Sequence, residues 1–490
     1  MIVLFNPRSN SDGKPILPMS VLSLAAVLEG KYDYEIVDGN PTESPLELLR
    51  ECFRRGARIL AITVMPGRQV RQAIAVSQAI KSEFPAAEVV WGGYFPTMHP
   101  DIAISAPYVD FIFRGHSEFP FLALVDALLS GSKRRNQAGL SWRDADSGQL
   151  HHNPEGPVPD LNKLADFPYH RLVMEPYMLE TWLGTRTIPH HASYGCPFTC
   201  NFCGVVNMVG GRYSAQDADH LEHVMSLLVD TYGANAVQFF DNNFFVSESR
   251  TVQICERLKP FGISWWAFAR IDTLVKYKDA TWASMRDSGL KMAFLGAESG
   301  SDEMLKRMNK GGRQTVDQAL LIAERMKQFD IIPEMSFVIG NPPDPVADID
   351  QTFRFIRQIK SINPAAEIIL YLYAPVPVAG DLYRQAKASG FEFPTKLEEW
   401  AEYRWIAVAE RTTTDLPWLT SSVRRKIGNF QRVLHAAYPT TTDPKLTGAR
   451  RALLQIAGQW RYKLRIYGNP IELRVLNRIF PHKRPEVAGF

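Results

Sequence analysis

Cys196-Pro197-Phe198-Thr199-Cys200-Asn201-Phe202-Cys203 places three of the chain's five cysteines within eight residues. Thiolates at this CxxxCxxC spacing can converge on one soft metal centre. A structural zinc ion normally takes four protein ligands, and His190 or His191 could supply the fourth. Three cysteines without any ligand are a further alternative. The motif and its position favour an iron–sulfur cluster in which one iron is left open for a small molecule.

The cysteine segment lies at the start of a regular alternation of strand and helix patterns. Continuous apolar strands that alternate with helices are typical of parallel sheets. Six such units favour a partial or full barrel over an open sheet. The predicted strands are Thr187–Tyr194, Ala236–Asp241, Ser264–Arg270, Lys291–Glu298, Glu334–Gly340 and Ile368–Tyr373.

This motif, just after the first strand of a six-unit series, resembles that of the radical S-adenosylmethionine (SAM) enzymes. The resemblance covers about residues 185–400 and includes Phe202 before the last cysteine. It implies that Cys196, Cys200 and Cys203 hold a [4Fe–4S] cluster. In that family the fourth iron chelates the amino and carboxylate groups of SAM, and reductive cleavage gives a 5′-deoxyadenosyl radical.

The resemblance further implies SAM contacts at the ends of the following strands. Many relatives carry paired acidic residues where Asn242 stands, so this position departs from the family pattern. Arg270 and Glu298 also allow a structural interpretation, an ion pair inside the barrel. The residues assigned to SAM are Phe202 in the motif, Asp241, Asn242 and Asn243 towards the methionine end, Arg270 and Glu298 towards the carboxylate or ribose, and Gly340 towards adenine.

The first 155 residues, which precede the barrel, show the same alternation of strand and helix patterns. Ligands of open α/β sheets bind beyond the carboxyl ends of the strands, where glycines let the backbone approach them. The predicted elements are strands Ile2–Phe5, Tyr34–Val37, Ile59–Val64, Glu88–Trp91 and Val109–Phe113, helices Met19–Glu29, Pro45–Arg54 and Arg68–Glu83, and a hairpin of Gly139–Trp142 with Gln149–His152.

A Rossmann-like domain in this position resembles the cobalamin-binding domain of B12-dependent radical SAM enzymes. The DxHxxG motif, which supplies a histidine ligand to cobalt in other B12 proteins, is absent, and His99 and His116 stand in other contexts. The resemblance therefore implies base-off cobalamin that faces the loop Met65–Arg68. It assigns cobalamin contacts to Asn6, Pro7, Asp38, Met65, Arg68, Gly92, Gly93, Gly115 and Glu118.

Two other interpretations of the N-terminal domain stay open, a vestigial fold that binds nothing and a nucleotide-binding domain. The absence of a GxGxxG fingerprint after the first strand weakens the nucleotide alternative.

Composition limits the class of protein. The 490 residues are 46% hydrophobic and 22% charged, which excludes a disordered or fibrous chain. No run approaches the ~18 apolar residues of a membrane span. The start MIVLFNPRSN has an apolar strand where a signal peptide carries basic residues, and five cysteines is an odd number for a disulfide scaffold. We therefore expect a cytoplasmic protein.

The predicted fold class is α/β. A Rossmann-like cobalamin-binding domain (1–155) and a linker (156–184) precede a (β/α)6 partial TIM barrel of radical SAM type (185–400), and a helical basic region (401–490) follows.

The C-terminal region differs in charge from the rest. Residues 421–490 contain fourteen Lys and Arg residues and three Asp and Glu residues, whereas the remaining 420 residues are net acidic. A cap on the barrel that neutralises this acidity is the first interpretation. A helix on an anionic membrane surface, with a lipid-like substrate, is the second. No motif that reads DNA or RNA accompanies the charge, so a nucleic-acid partner is not expected.

The resemblance implies an enzyme that methylates an unactivated carbon. One SAM would remethylate cobalamin, a second would generate the substrate radical, and methylcobalamin would supply the methyl group. It also implies a small-molecule or lipid-like substrate and an electron donor such as flavodoxin or ferredoxin. The rivals are a B12-dependent radical SAM cyclase or rearrangement enzyme and, more distantly, a non-catalytic zinc- or cofactor-binding protein.

Overall fold

The computed structural model describes residues 1–10, 15–144, 146–310, 314–411, 416–443 and 446–480. Its first sheet has the strand order β2-β1-β3-β4-β5-β6-β7, and it is parallel up to β5 and antiparallel at the β6–β7 hairpin. The strands are β1 (Ile2–Asn6), β2 (Tyr34–Asp38), β3 (Ile59–Thr63), β4 (Glu88–Gly92), β5 (Phe111–Phe113), β6 (Leu140–Arg143) and β7 (Leu150–His152).

Helices cover both faces of this sheet. Ile2 and Leu4 belong to one hydrophobic cluster and Val3 and Phe5 to another, because successive side chains of a strand point to opposite faces. The helices are α1 (Met19–Leu28), α2 (Pro45–Arg54), α3 (Arg68–Glu83), α4 (Tyr94–Met98), α5 (Pro100–Ile104) and α6 (Glu118–Leu129).

The second sheet consists of six parallel strands in the order β8-β11-β12-β13-β14-β15. A separate antiparallel pair, β9 with β10, lies beside the first barrel strand. The strands are β8 (Thr187–His190), β9 (Ser193–Gly195), β10 (Tyr213–Ala215), β11 (Ala236–Phe239), β12 (Ser264–Ala269), β13 (Leu290–Glu298), β14 (Ile332–Ile339) and β15 (Glu367–Leu372).

Helices alternate with these strands, which completes the predicted (β/α)6 partial barrel. They are α7 (Val205–Val209), α8 (Ala218–Ser226), α9 (Glu248–Leu258), α10 (Ile271–Leu274), α11 (Asp279–Asp287), α12 (Asp302–Arg307), α13 (Val316–Gln328), α14 (Val346–Ile362) and α15 (Asp381–Ala388). Four further helices follow the barrel: α16 (Tyr403–Ala409), α17 (Ser421–Ala437), α18 (Gly448–Leu464) and α19 (Ile471–Ile479).

The fold class is confirmed, with two differences in detail. The predicted strand Thr187–Tyr194 is divided into β8 and β9, because the Ala192 amide donates to the Asp241 carboxylate at 2.8 Å and leaves the ladder. The segment 156–184, predicted to be a linker, packs into the hydrophobic core through Leu161, Leu164, Phe167, Tyr169, Met174, Tyr177, Met178 and Leu183.

Segments outside the barrel cover both of its edge strands. On β8, the amide of Thr187 donates to the carbonyl of Leu179 at 2.8 Å, and the amide of Leu179 donates back at 3.0 Å. On β15, the carboxylate of Glu367 accepts from the hydroxyl of Thr440 at 2.8 Å and from the amide of Thr441 at 3.1 Å.

Candidate active site

The cysteine loop leaves the barrel through a glycine that no other residue could replace. Gly195 ends β9 with φ +81, and an added Cβ would lie 2.3 Å from the carbonyl oxygen of Arg212. The amide of Cys196 donates to that same carbonyl at 3.1 Å, and the amide of Cys203 closes a turn onto the carbonyl of Cys200 at 3.2 Å. The three cysteines therefore share one short loop just beyond the first barrel strand.

Arg270, at the end of β12, reaches this loop from across the barrel. Its Nη1 donates to the Sγ of Cys200 at 3.2 Å, and its guanidinium lies 3.8 Å from the centre of the Phe198 ring. Asp272 holds the guanidinium by two hydrogen bonds of 3.0 Å each. A buried cation is thus aimed at one of the three sulfur atoms.

Burial favours the protonated thiol at two of the three cysteines, Cys196 and Cys203. Burial raises the pKa of Cys196, although the charges of Arg270 and Lys310 oppose the change. Burial also raises the pKa of Cys203 to about 11. Metal binding deprotonates a coordinating thiol outright, so this donor set fits a metal cluster and gains from holding one.

The two histidines proposed for a zinc site are engaged elsewhere. The Nε2 of His190 lies 3.0 Å from the Oε1 of Gln216, and its Nδ1 faces the hydroxyl of Tyr169. Desolvation lowers the pKa of His191 to about 3, and its ring packs edge-on against Tyr194. Among the described residues, no three His, Cys, Asp or Glu side chains converge on the position of a single ion. Cysteines that bind different irons of a cluster do not need to converge in this way.

Asp241 bridges two strands at the predicted methionine end of the SAM site. Its fully buried carboxylate accepts from the amide of Ala192 and from the hydroxyl of Ser193. Burial raises its pKa to about 6. The carboxylate is thus used to hold the start of β9, next to the cysteine loop.

Asn242 and Asn243 differ sharply in their surroundings. Asn242 is exposed. Asn243 is fully buried, and neither its Nδ2 nor its Oδ1 has a hydrogen-bond partner among the described residues. A buried amide without partners costs free energy, so Asn243 is the better candidate for a polar ligand.

Arg270 and Glu298 do not pair with each other, which was the structural alternative. Arg270 pairs with Asp272, and Glu298 accepts from the Nζ of Lys310 at 2.6 Å. Glu298 also has φ 65, an uncommon conformation for a residue other than glycine. The Nζ of Lys310 lies 5.6 Å from the centre of the Phe202 ring, so this ion pair borders the cysteine loop.

Gly340, predicted to contact adenine, meets the C-terminal region. Its φ of +78 is in the region that favours glycine. Its carbonyl accepts from the indole Nε1 of Trp418 at 2.7 Å, and an added Cβ would lie 3.0 Å from Leu419. The side chains of Trp418 and Leu419 therefore cover this end of β14.

Thr97 ties together two loops at the carboxyl edge of the first sheet, those that contain Gly93 and Gly115. Its hydroxyl donates to the carbonyl of Gly93 at 2.7 Å and accepts from the amide of Gly115 at 3.0 Å. Gly93 has φ +94, and a Cβ added to it would lie 3.2 Å from the backbone nitrogen of Val64. At Gly92 an added Cβ would meet nothing within 4 Å, which leaves open space of the kind a corrin edge could fill.

Asn6 and Asp38 hold the first two loops rather than pointing outwards. The amide of Asn6 donates to Asp38 at 2.8 Å, and Tyr177 of segment 156–184 donates to the other carboxylate oxygen at 2.7 Å. Gln69 donates to the Oδ1 of Asn6 and to the carbonyl of Pro7, and accepts from the amide of Met65. These residues shape the edge of the sheet.

The loop predicted to face cobalt carries an exposed side chain. Met65 is 47% exposed. Arg68 donates to the carboxylate of Glu410 at 2.6 Å, and Ala409 lies 3.4 Å from the position of a Cβ on Gly67. The end of α16 therefore packs beside this loop.

The two histidines near this edge are packed against aromatic rings. His99 is stacked among Phe95, Phe393 and Trp400, and burial lowers its pKa to about 4. His116 is stacked on Tyr194, with ring centres 4.6 Å apart. Base-off cobalamin stays a prediction.

Glu118 lies next to His116 and shares its surroundings. Burial would raise the pKa of Glu118, but the hydrogen bond and charge of His116 lower it. Its Oε1 accepts from Ser23, which also accepts from the hydroxyl of Tyr194. Glu118 therefore connects the first sheet to β9 of the barrel.

The edge of the first sheet and the cysteine loop meet at Tyr94. A Cβ on Gly204, the residue after Cys203, would lie 1.7 Å from the hydroxyl oxygen of Tyr94. The charge of Cys203 contributes, after burial, to the raised pKa of Tyr94. The two predicted cofactor sites are therefore adjacent.

Two family models match the chain in the same order as the two sheets. The Radical SAM superfamily model matches residues 192–356, and the B12 binding domain model matches residues 10–125. The chain belongs to the cobalamin-dependent radical SAM enzymes. Its cofactors are accordingly a [4Fe–4S] cluster, SAM and cobalamin.

Relatives of this radical SAM enzyme cover most of its length. An uncharacterized methyltransferase of Pyrococcus horikoshii is 26% identical over 73% of this chain and 78% of the relative. The anaerobic magnesium-protoporphyrin IX monomethyl ester cyclase of Rubrivivax gelatinosus is 25% identical over 73% of this chain and 66% of the relative. The structure of OxsB, a cobalamin-dependent SAM radical enzyme, matches the fold with a TM-score of 0.68 and 15% identity, over 98% of this chain and 75% of OxsB.

Several residues of the candidate site in this radical SAM enzyme were not predicted from its sequence. Lys310 neutralises Glu298, and Asp272 neutralises Arg270. Tyr94 borders the cysteine loop. Lys310 stands before two glycines, a signal of a loop, but nothing in the sequence indicates which carboxylate it meets.

Proposed function

We propose that this enzyme is a cobalamin-dependent radical SAM C-methyltransferase that acts on an unactivated carbon of a small molecule. The observation that carries the proposal is the contact of Tyr94 with Gly204. It joins the loops assigned to cobalamin to the loop assigned to the cluster. A reaction that draws on both cofactors needs them to be neighbours, since reacting groups must be held in contact.

When bound, the cluster would supply an electron to SAM, and cobalamin would supply the methyl group. The residues of the chain would hold and shield these groups. Arg270, anchored by Asp272, would fix the charge beside Cys200, and the amide of Asn243 would bind the methionine end of SAM. The Glu298–Lys310 pair would offer a carboxylate and an ammonium group beside Phe202.

The test uses SAM itself and needs no knowledge of the substrate. Protein reconstituted anaerobically with iron, sulfide and cobalamin, and reduced with titanium(III) citrate, is mixed with SAM. A methyltransferase is expected to release S-adenosylhomocysteine up to about one equivalent of bound corrinoid, together with slow formation of 5′-deoxyadenosine. A protein that forms neither product, although it holds iron and corrinoid, would contradict the proposal.

A radical cyclase or rearrangement enzyme is the second candidate. The similarity to the cyclase of Rubrivivax gelatinosus supports it. Such an enzyme would form 5′-deoxyadenosine without S-adenosylhomocysteine, so the ratio of the two products distinguishes the candidates. Cys196→Ala protein serves as the control, because both candidates lose 5′-deoxyadenosine when the cluster is lost.

We further propose that a flavodoxin or ferredoxin reduces the cluster and that the enzyme works in the cytoplasm, where such donors act. Reduction of the reconstituted protein by reduced flavodoxin tests this, with 5′-deoxyadenosine as the readout. Formation with titanium(III) citrate alone, and none with flavodoxin or ferredoxin, would reject these donors.

A further inference from the structure

Exposed apolar side chains are concentrated in the last two described helices. Fifteen large hydrophobic residues are exposed in the described part of the chain, and eight of them lie between residues 453 and 479. Isolated exposed apolar residues are normal on a protein surface, but a contiguous group of them marks an interaction site. The eight residues are Leu453, Ile456, Trp460, Leu464, Ile466, Ile471, Val475 and Ile479. We refer to them as the apolar patch.

The patch follows helical geometry on α18. Leu453, Ile456, Trp460 and Leu464 are spaced by three or four residues, and at ~100° per residue they fall within an arc of roughly 80°. Ile456 is 73% exposed and Leu464 is 65% exposed. One side of α18 is therefore an apolar stripe that faces solvent.

A second stripe runs along α19. Ile471, Val475 and Ile479 are spaced by four residues, and each is more than half exposed. On the inner side of this helix Leu473, which is 1% exposed, packs into the hydrophobic core. The outward apolar residues are thus not needed for packing.

Basic side chains border both stripes. Arg450 and Lys463 lie just beyond the two edges of the α18 stripe, and Arg474 and Arg478 lie along one edge of the α19 stripe, as helical spacing requires. Both of these pairs and Arg465 are exposed. Glu472 is the one acidic residue between 446 and 480, and it pairs with the buried Arg461. The surface around the patch is therefore cationic.

Packing on the barrel, the first interpretation of this region, describes only its inner layer. Phe430 of α17 stacks on Phe353 of α14, with ring centres 3.7 Å apart, and Lys426 pairs with Asp350. Gly458 lets α18 lie against the backbone of α17 at Ala436 and Ala437. This cap is complete without the apolar patch.

We propose that the apolar patch and its basic border dock this enzyme onto an anionic lipid surface. Apolar and aromatic residues flanked by Lys and Arg suit the boundary between headgroups and acyl chains of anionic lipids. A second copy of the same patch would bring like charges together, which opposes self-association through this face. The side chains of residues 481–490 include Lys483, Arg484 and Glu486, so this segment does not supply a net negative charge to neutralise the patch border.

The contact would be peripheral. In the described ranges no helix is long and apolar enough to cross a bilayer. The stripes would enter only the interface, and the rest of the enzyme would stay in water. A substrate that is held in a membrane would then reach the enzyme at the lipid surface.

Vesicle flotation with the full-length holoprotein tests the apolar part. We expect binding to vesicles of phosphatidylglycerol and phosphatidylcholine, no binding to phosphatidylcholine alone, and release at high salt. Ile456→Glu/Leu464→Glu should lose binding by about tenfold or more, because two charges replace apolar residues at the interface. Leu48→Glu/Leu321→Glu, which changes two exposed apolar residues elsewhere, should bind like the wild type.

A second pair of variants tests the charge. Arg474→Gln/Arg478→Gln should weaken binding to anionic vesicles by about tenfold. Lys31→Gln/Lys133→Gln, with the same change in net charge, should not. Unchanged melting temperature and iron content establish that each variant is folded.

Three results would overturn the proposal. They are no binding to either vesicle, equal binding of the patch variants and their controls, and a wild-type dimer that the patch variants convert to a monomer. The test does not depend on the methyltransferase proposal, since S-adenosylhomocysteine is measured without vesicles and flotation without SAM.

Discussion

Arg270 illustrates how one residue combines structural and chemical constraints. Arg270 donates to Cys200 and is held by Asp272. Arg270 and Asp272 are both buried. Removing one partner of a buried pair leaves a charge without compensation, which typically costs about 3–5 kcal/mol. The guanidinium is therefore difficult to move, and the sulfur beside it stays close to a positive charge.

The three clustered cysteines should each be required for iron. Cys196→Ala, Cys200→Ala and Cys203→Ala should each bind far less iron than the wild type, which should hold about four irons per chain. Cys52→Ala and Cys255→Ala should keep the iron, because these two buried cysteines lie in helices α2 and α9, outside the cysteine loop. Iron and sulfide analysis after anaerobic reconstitution is the measurement. Full iron in Cys196→Ala protein would refute the assignment.

Asp241 should make stability depend on pH in an unusual direction. Burial raises its pKa from the ordinary 3.8 to about 6 in the folded chain, so the folded state holds the proton more tightly. This contribution is present below pH ~4 and is lost as the pH rises through ~6, with a size of about 3 kcal/mol.

Urea unfolding of wild type and Asp241→Asn between pH 4.5 and 7.5 measures this effect. The amide does not titrate, so the difference in unfolding free energy between the two proteins should vary with pH. A difference that stays constant across the range would contradict the raised pKa.

Residues that act together and lie close in the sequence, such as the three cysteines, could be predicted from their spacing. Residues that a loop brings to the site could not be predicted in this way. The three cysteines share one short segment, whereas the contacts of His190 with Gln216 and of His191 with Tyr194, which bear on the zinc alternative, are visible only in the fold. The partners of Arg270 and Glu298 are Asp272 and Lys310, which no local pattern connects to them.

At the scale of elements, two short helices join the two halves of the active site. Tyr94 begins α4, and its ring packs directly on Gly204, the residue before α7. Gly115 lies close to the same helix, since an added Cβ would be 3.0 Å from the carbonyl of Met208. The contacts that join the loops assigned to the two cofactors therefore leave no room for an additional atom.

Gly204→Ala should therefore disturb the junction. The new methyl would overlap the ring of Tyr94, and overpacking of this kind costs about 1–3 kcal/mol. In a Tyr94→Ala background, Gly204→Ala should cost little further stability, because the ring that it overlaps is gone, and Gly468→Ala, where a Cβ meets nothing within 4 Å, is the matched control. Thermal unfolding and corrinoid content are the measurements. Equal melting temperatures for Gly204→Ala and Gly468→Ala proteins would show that the junction is loose.

Strand and helix patterns predicted these elements well because burial on both faces of a parallel sheet leaves a clear apolar signal. Helices Pro45–Arg54 and Arg68–Glu83 match their predicted bounds. The break between β8 and β9 depends on the distant Asp241, so a local pattern could not indicate it.

Across the whole molecule, the N-terminal domain is held from two directions. Segment 156–184 reaches it through the hydrogen bond of Tyr177 with Asp38, and the C-terminal region reaches it through Arg68 and Glu410. The loops assigned to cobalamin therefore lie between the barrel and α16.

This arrangement should hold cobalamin without a histidine ligand. In the cob(II)alamin state, the electron paramagnetic resonance spectrum of the holoprotein should lack strong nitrogen superhyperfine splitting, because the sequence has no DxHxxG motif to supply a histidine ligand. A clear axial nitrogen triplet would show that a histidine binds cobalt, and failure to bind any corrinoid would favour a vestigial domain.

An open barrel has two unpaired strand edges, and unpaired edges invite aggregation between chains. Here Leu179 occupies the free side of β8, and the segment around Thr440 lies against β15. A protein shortened after residue 420 would lose the second of these covers. We expect the shortened protein to form insoluble assemblies by adding strand to strand, in which case the C-terminal region would also protect the barrel from aggregation.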